Sequence, residues 1–294
     1  MTAVDIAARL GLHRSGRTWR GACPTCGYAN SFVLSQGSGG RAIGWCASCQ
    51  DSAAIAAAIR TAEGRSPAPA ATVSIINRNS IAAEREAIAA RNGIRAIAIW
   101  NGSDAVPDTP AEVYLRNRCI AHVTGSAALR FRRDTPHPGG GRMPALVAIV
   151  VDMAGKPVAA HRTFLTRDGH KANVEPQKAT LGPYWGGAIR LESIGSELVI
   201  GEGIESSASA GRVLGLPAWA AISAGNLARG LVLPPELRAV VIAADADDAG
   251  ERAACEAALR WSREGRRVRI ARPNHTGWDF NDVLCEREAE AKRE

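Results

Sequence analysis

The sequence lacks any long hydrophobic run. No stretch of its 294 residues approaches the roughly 18 consecutive apolar residues that a membrane-spanning helix requires. The first residues also lack the basic and then apolar layout of a secretory signal. We therefore expect a cytoplasmic protein with no membrane partner. In that compartment the seven cysteines stay reduced, and closely spaced pairs of them indicate metal binding rather than disulfides.

The charge is unevenly distributed along the chain. The net charge of +7 divides into +4 for residues 1–65, +6 for residues 66–195 and −3 for residues 196–294. A basic front and an acidic back are typical of an enzyme that grips a polyanion in one place and does metal-dependent chemistry in another. A GC-rich genome would produce the same surplus of arginine without any function. The length by itself predicts two or three domains.

Two short apolar runs end abruptly in carboxylates. Residues 198–201 lead to Glu202, and residues 240–244 lead to Asp245 and Asp247. Each run precedes a helix-like segment, over residues 206–214 and 249–263, so both are predicted to be buried parallel strands. Ligands bind at the carboxyl ends of such strands. Converging carboxylates repel one another unless a cation lies between them, and hard oxygen ligands suit Mg²⁺ or Mn²⁺.

A third acidic patch completes a recognisable order. Asp279 and Asp282 follow a predicted strand at residues 268–272 and precede a charged helical tail. The succession of strand-Glu-Gly, strand-Asp-x-Asp and Asp-x-Asn-Asp resembles the Toprim domain, which is shared by bacterial DnaG-type primases, type IA and type II topoisomerases and some nucleases. The resemblance covers residues 196–285. It implies that Glu202 is a general base or ligand, and that Asp245 and Asp247 hold magnesium, with Asp279 and Asp282 assisting.

Two neighbouring carboxylates have simpler explanations. Glu205 follows Glu202 by three residues, so its charge could favour the dipole of the next helix rather than the metal. Asp248 could cap the helix predicted to start at Ala249.

The amino-terminal segment contains two Cys-x-x-Cys pairs. Cys23 and Cys26 are separated from Cys46 and Cys49 by nineteen residues, a spacing typical of a zinc ribbon. Two such knuckles complete a closed tetrahedral site, so the zinc would be structural. Aromatic and basic residues alternate around the pairs, as a platform for stacking a single nucleic-acid strand would require. The candidates for this contact are Arg20, Arg41 and Trp45.

The middle of the chain mixes helices and strands. Residues 4–10 and 53–60 predict helices that flank the ribbon, and the proline-containing stretch at residues 61–71 predicts a linker. Beyond it the sequence predicts helices over residues 81–91 and 111–118, and strands over residues 129–131, 145–152 and 158–165, the last two joined by a hairpin. This layout, with the short motifs that start at Tyr114, Leu129 and His161, resembles the domain preceding Toprim in primases of phages, plasmids and other mobile elements.

The sequence therefore predicts an α/β protein in four segments: a zinc ribbon (1–60), a linker (61–79), a mixed α/β middle domain (80–195) and a Toprim domain with a Rossmann-like parallel sheet (196–294). The resemblance implies synthesis of short RNA primers on single-stranded DNA from nucleoside triphosphates. Arg162, Lys171 and Lys178 would contact the triphosphate or the template. We expect any helicase to be a separate chain.

Other functions use the same residues. A Toprim nuclease would direct the same acids at water, and a non-catalytic protein would join ribbon and Toprim only to bind DNA. Retention of Glu202, Asp245 and Asp247 argues for catalysis, and the ribbon favours a primase. A topoisomerase needs a nucleophilic tyrosine on a DNA-gripping domain. The three tyrosines, Tyr28, Tyr114 and Tyr184, lie in no such domain.

Overall fold

The computed structural model describes residues 2–16, 18–37, 40–46, 49, 51–65 and 75–293, with residues 75–85 described as backbone only. The chain divides into two compact units, Met1–Ile88 with Pro138–Gly140, and Ala89–His137 with Gly141–Glu294. Of the linker predicted over residues 61–79, residues 66–74 lie outside the described residues, whereas residues 61–62 end one helix and residues 75–79 begin the next. None of the described helices is both long and apolar enough to cross a membrane.

The first unit is built on a small antiparallel sheet and two helices that pack on one of its faces. Strand β3 alternates buried Phe32 and Leu34 with more exposed residues, so one face of the sheet carries the core. Ile6 and Ile55, from the two helices, pack on that face. The elements are α1 (Ala3–Arg9), β1 (His13–Ser15), β2 (Thr18–Gly21), β3 (Phe32–Gln36), β4 (Ala42–Cys46) and α2 (Ser52–Ala62), and the strand order is β1-β2-β3-β4.

The second unit contains an antiparallel sheet and a mostly parallel sheet. Helix α3 (Ile75–Asn101) leads into it and is longer than the helix predicted at residues 81–91. The antiparallel sheet has the order β5-β6-β7-β8, and Gly155, with φ +82°, lies in the predicted turn between its two central strands. Its elements are α4 (Pro110–Asn117), β5 (Leu129–Pro136), β6 (Arg142–Val151), β7 (Pro157–Phe164) and β8 (Lys178–Leu181).

The mostly parallel sheet has the order β13-β12-β10-β11-β9, in which β9 alone runs antiparallel. Strands β10 and β12 are buried almost throughout, which explains their unbroken apolar sequences. The elements are β9 (Ile189–Arg190), β10 (Glu197–Gly201), α5 (Ile204–Leu214), β11 (Ala218–Ala220), β12 (Ala239–Ala243), α6 (Asp248–Arg263), β13 (Arg267–Ala271) and α7 (Phe280–Ala291).

One hydrophobic core runs through the second unit. It includes Leu146 and Phe164 from the antiparallel sheet, Val199 from the parallel sheet, and Ile204 and Phe280 from the helices that follow. The two sheets therefore contribute to the same hydrophobic core. With the cysteine cluster at the amino terminus, this architecture confirms the predicted mixed α/β fold class.

Candidate active site and metal centres

The acidic side chains meet at one edge of the parallel sheet. Strands β10 and β12 are paired neighbours, with Gly201 opposite Ala243, so their carboxyl ends deliver Glu202 and Asp245 to the same place. A cavity of about 200 Å³ opens there. Its charged and polar lining consists of Arg118, His161, Lys171, Lys178, Glu202, Glu205, Ser206, Asp245 and Asp279.

Asp245 is half-buried at the end of β12. The Ser206 hydroxyl, in the first turn of α5, donates a hydrogen bond of 3.1 Å to Asp245 Oδ1. Burial is the main reason that the pKa of Asp245 is raised to about 6; the Ser206 hydrogen bond lowers that pKa, and the nearby charges of Asp279 and Asp247 raise it. A carboxylate in such surroundings is stabilised by a bound cation, which is the behaviour expected of a metal ligand.

Asp247, rather than Asp248, caps helix α6. The Asp247 carboxylate accepts a hydrogen bond of 2.7 Å from the backbone N–H of Gly250, and Asp248 is already the first helical residue. A side chain at Gly250 would approach the Asp245 carbonyl to 2.7 Å, so this helix can begin so close to the strand only with glycine there. The proposed cap at Asp248 is therefore wrong by one residue. Asp247 does not line the cavity in this structure.

Asp279 and Asp282 form a capping box at the start of α7. Asp279 Oδ1 accepts hydrogen bonds from the backbone N–H groups of Asn281 and Asp282, and Asp282 Oδ2 accepts one from the Asp279 N–H. Asp279 also lines the cavity, whereas Asp282 is exposed and does not. The structure thus places Asp279, but not Asp282, beside Glu202 and Asp245.

A cationic wall faces these carboxylates. Lys171 and Lys178 come from the segment around β8, and Arg118 from the residue that follows α4. Burial lowers the pKa of Lys171, and the neighbouring Lys178 lowers it further. His161 on β7 hydrogen-bonds Thr180 through Nδ1 at 2.8 Å, and burial lowers its pKa to about 3, so it is a neutral structural side chain, as expected of a histidine within a strand.

Glu205 is buried beneath the cavity between two partners. Lys178 Nζ donates to Glu205 Oε2 at 2.8 Å, and the Tyr114 hydroxyl donates a short hydrogen bond to Oε1. Burial alone would raise the pKa of Glu205, but the charge of Lys178 and these hydrogen bonds outweigh it and lower that pKa. Glu205 is therefore ionised and orients Lys178, so its main partner is this side chain rather than the helix dipole.

Asn281 ties the cationic and acidic walls together. It is 2% exposed, and its amide donates to the Arg118 carbonyl at 2.6 Å and to the Ser209 hydroxyl at 3.0 Å. Sequence reasoning assigned no role to Asn281, Arg118 or Ser206. The Tyr-Leu-x-x-Arg motif that ends at Arg118 was a usable signal, because it places Tyr114 and Arg118 one helical turn apart.

Arg162 is not part of this cavity. It is 5% exposed, and its guanidinium donates to the carbonyls of Ala179 and Pro136 at 3.3 and 2.9 Å. Burial lowers its pKa to about 10, and Arg95 adds to that effect. The structure therefore shows Arg162 joining β7 to its neighbours, although it was predicted to contact nucleotide or template.

The four cysteines are arranged for one metal ion. Their sulfur atoms all lie within 4.8 Å of one another, and the Cys23–Cys49 and Cys26–Cys46 pairs are both 3.8 Å apart. A tetrahedral zinc with Zn–S bonds of about 2.3 Å requires S–S separations of about 3.8 Å. The cluster therefore fits structural zinc. In the same unit, Trp45 and Arg41 are exposed on and beside β4, and Arg20 is half-buried on β2.

The sequence comparisons agree with this geometry. Residues 197–290 match the model of the Toprim domain, and the matched range contains the four parallel strands β10 to β13 and all three acidic patches. Residues 197–290 are a Toprim domain. The preceding residues, 90–191, match a domain of unknown function (DUF7146). Here that segment supplies the cationic wall that faces the Toprim carboxylates. No curated protein matches the sequence.

Solved structures that are similar in fold include primases. The Escherichia coli primase catalytic core is 17% identical, over 63% of this chain and 72% of its own, with a TM-score of 0.42. The primase fragment of the bacteriophage T7 primase-helicase protein is 16% identical, over 94% and 98%, with a TM-score of 0.41. The zinc-binding and RNA polymerase domains of Aquifex aeolicus primase are 14% identical, over 100% and 84%, with a TM-score of 0.42. Values this low carry no functional argument.

Proposed function

We propose that this protein is a DnaG-type primase, which synthesises short RNA primers on single-stranded DNA by metal-dependent nucleotidyl transfer. The observation that carries the proposal is the cavity in which the Toprim carboxylates face Arg118, Lys171 and Lys178. Transfer at phosphorus requires both a carboxylate array and cations near the phosphate oxygens. One cavity supplies both.

The carboxylates and the cations of the cavity would have different roles. The ligands of Mg²⁺ or Mn²⁺ would be Glu202, Asp245 and Asp279. Asp247 is the next candidate ligand, and Asp282 is a weaker one. When bound, the ion polarises the phosphate and favours ionisation of the attacking 3′-hydroxyl. Lys171, Lys178 and Arg118 neutralise the triphosphate and hold it for in-line attack. Because Glu205 and Tyr114 fix Lys178, its ammonium needs little reorganisation when the substrate arrives.

The amino-terminal unit would hold the template strand. A zinc ion bound by its four cysteines would order the small sheet, and Trp45 with Arg41 and Arg20 offers a stacking surface flanked by positive charge. Cytoplasmic location, a role in DNA replication for a mobile element and cooperation with a separate helicase complete the proposal.

A Toprim nuclease remains the second candidate, because Glu202 and Asp245 would serve a water nucleophile equally well. The cationic wall favours the primase. A nuclease requires only the scissile phosphate near the carboxylates, whereas a polymerising enzyme must also neutralise a triphosphate, for which three cations are appropriate.

The test is synthesis on a single-stranded template. Purified protein is incubated with single-stranded DNA, labelled ribonucleotides and Mg²⁺ or Mn²⁺, beside Asp245→Ala and Asp248→Ala variants. We expect short products from the wild type and from Asp248→Ala, and at least a hundredfold less from Asp245→Ala. Template degradation without synthesis would assign the nuclease, and DNA binding with neither reaction would assign the non-catalytic alternative.

A further inference from the structure

A second cavity, of about 460 Å³, lies on the segment matched by the domain of unknown function. Among the described residues it shares no lining side chain with the carboxylate cavity. Its apolar lining comes from Pro110, Phe131, Met143 and Pro144, and its charged lining consists of Arg133, Arg142, Arg167 and Asp134. Three guanidinium groups against one carboxylate leave an excess of positive charge, so the complementary ligand is an anion. We refer to this cavity as the arginine pocket.

A β-bulge shapes the arginine pocket. Arg132 pairs with Ala145 and Thr135 pairs with Met143, so Arg133 and Asp134 together lie opposite Pro144. Pro144 has no N–H to contribute to the ladder, which makes the bulge compatible with the sequence there. Bulges redirect side chains and are frequent beside functional sites. Here the bulge presents Arg133 and Asp134 at the pocket.

Arg142 is held in place within the pocket. Its Nε donates to the Asp134 carbonyl at 3.0 Å, and its Nη2 lies 3.2 Å from Asp134 Oδ2. Asp134 also receives Arg132 Nε at 3.2 Å. These contacts occupy two of the five N–H donors of Arg142, so the others remain available to a ligand.

Arg133 and Arg167 are exposed, and neither side chain makes a hydrogen bond or an ion pair within the part of the chain that the structure describes. Their planar guanidinium groups match the geometry of phosphate oxygens and can bind them through two parallel hydrogen bonds. The apolar side chains beside them would receive the sugar or base. The pocket therefore suits a phosphorylated organic ligand better than a free inorganic ion.

The turn that carries Arg167 connects the arginine pocket to the carboxylate cavity. Thr166 and His170 close this turn through a backbone hydrogen bond of 2.8 Å, and Lys171, one residue further on, lines the carboxylate cavity. A side chain at Gly169, whose φ is +83°, would lie 2.6 Å from Val113, so the turn packs closely on α4. Three residues separate Arg167 from Lys171, so four Cα-to-Cα steps limit their Cα distance to about 13 Å. Regularly spaced phosphates could contact both cations at once.

We propose that the arginine pocket binds backbone phosphates of a single nucleic-acid strand whose path continues across the Arg167 turn towards the carboxylate cavity. The pocket would give the segment of unknown function a strand-binding role. The continuation into the cavity rests on the proposed primase function. The affinity of the pocket for a phosphodiester strand does not.

The first test measures strand binding of the full-length protein. The affinity for a fluorescent single-stranded 20-mer is followed by anisotropy across a series of salt concentrations, for the wild type and for an Arg133→Ala/Arg167→Ala variant. Each phosphate contact on a single strand contributes about 0.7 to the slope of log K against log salt. We expect binding at least tenfold weaker and a slope reduced by about 1.4.

A matched variant removes the same charge elsewhere. Arg263 and Arg287 are exposed on α6 and α7, so Arg263→Ala/Arg287→Ala should leave the slope within about 0.3 of the wild type. Arg133→Lys/Arg167→Lys should keep most of the slope, which separates lost charge from misfolding. Equal effects of the two alanine pairs, or no effect of the Arg133/Arg167 pair, would overturn the proposal.

A second experiment distinguishes a free nucleotide from a nucleic-acid strand as the ligand. It also separates failure of the strand-binding proposal from failure of the proposed primase function. Loss of ATP or triphosphate binding in Arg133→Ala/Arg167→Ala, with strand affinity intact, would show a free-nucleotide site and contradict the proposal. Strand binding lost by this variant in a protein that makes no primers would support the pocket and refute the primase. Primer synthesis by the wild type, together with unchanged strand affinity in Arg133→Ala/Arg167→Ala, would support the primase and refute the strand-binding role of the pocket.

Discussion

At the scale of single residues, Glu205 shows how a buried charge can serve a neighbouring one. Its carboxylate is enclosed, yet the Lys178 ammonium and the Tyr114 hydroxyl satisfy it from two sides. Lys178 is thereby held at the cavity, where a free lysine would sample many rotamers. Burying a charged pair gives little net stability, but removing one partner is costly, because the other is left without compensation.

We expect Glu205→Gln to lower the free energy of unfolding by about 1–3 kcal/mol, since Lys178 keeps its charge and loses its partner. Urea denaturation measures the change. The control is Glu256→Gln, which breaks an ion pair with Arg229 whose side chains are both about half exposed and should cost no more than about 0.5 kcal/mol. Equal costs for the two variants would contradict the structural role of Glu205.

The ionised carboxylate of Asp245 should destabilise the folded protein when no metal ion is bound. Its pKa is raised to about 6 in the folded protein, mainly by burial, so the folded state favours the protonated form. That preference stabilises the fold fully below pH 4 and is lost as the pH rises through 6. Asp245→Asn removes the ionisable group, so without added metal ions the variant should be more stable than the wild type at pH 7.5, by up to about 2–3 kcal/mol.

The difference between Asp245→Asn and the wild type should shrink towards pH 4, while the variant stays inactive at every pH. Thermal unfolding in chelator measures the stability difference between the variant and the wild type at pH 5 and at pH 7.5. A variant that is less stable than the wild type at pH 7.5 would show that Asp245 is not strained by its surroundings.

The sequence predicted the residues of the acidic wall better than those of the cationic wall. Glu202 and Asp245 could be placed because each follows an apolar strand, and the carboxyl ends of neighbouring parallel strands meet at one edge of the sheet. Arg118 follows a short helix distant in sequence, and its position at the cavity depends on the hydrogen bonds of Tyr114 with Glu205 and of Arg118 with Asn281, which join segments far apart in the chain. The burial of Arg162 could not be predicted either, because the sequence of β7 does not show that both faces of this strand are covered.

At the scale of elements, carboxylates at the start of α7 have two different roles, which are to cap the helix and to line the cavity. Asp279 and Asp282 both take part in the capping box, but Asp279 alone also lines the cavity. The same cap could have been predicted from the Asp-x-x-Asp spacing. Its contact with the cavity could not, because that depends on the loop after β13.

We expect Asp282→Ala to lower the free energy of unfolding by about 0.5–2 kcal/mol through loss of the cap, and to reduce primer synthesis less than tenfold. Asp279→Ala should destabilise the protein by a similar amount and reduce synthesis at least a hundredfold. Chemical denaturation and a primer assay at saturating Mg²⁺ measure the two effects. A large loss of activity in Asp282→Ala would restore it as a metal ligand.

Helices and long strands were predictable, whereas short elements were not. The ends of α1, α4, α5 and α6 fall within two residues of their expected positions, because caps and apolar periodicity are local signals. Strands β9 and β11 have two and three residues and were missed. Their conformation follows from pairing with neighbours in the sheet rather than from their own sequence.

At the scale of the whole molecule, the two units have separate hydrophobic cores. The first is small, so metal binding should supply much of its folding free energy. Burial raises the pKa of Cys23 and Cys49, which means that a cation is needed to keep their sulfurs as thiolates. The second unit contains its own extended core and contributes none of these cysteines.

Chelation should therefore unfold one unit and spare the other. Differential scanning calorimetry of the full chain should show a transition that disappears in EDTA or in Cys46→Ser, and a second transition whose midpoint moves by less than about 2 °C. Cys255→Ser, at an exposed cysteine outside the cluster, should keep both transitions and one zinc per chain by elemental analysis. Simultaneous loss of both transitions in EDTA would show that the second unit depends on the metal.

The order of the motifs along the chain was sufficient to predict the fold class, because each motif brings its strand and helix with it. It could not predict that residues 90–191 share one core with the Toprim domain. That result depends on side chains such as Leu146, Phe164 and Phe280 meeting across the two sheets, which the sequence of either segment alone does not specify.

The bonds that cross between these two segments also limit how the gene can be recombined. Tyr114 with Glu205, and Arg118 with Asn281, join residues 91 and 163 positions apart in the chain. A chimera that exchanges the Toprim domain for that of a distant homologue would bring new residues at 205 and 281 to unchanged partners. Viable exchanges should therefore be those that transfer both halves of each pair, so the two segments behave as one unit of inheritance.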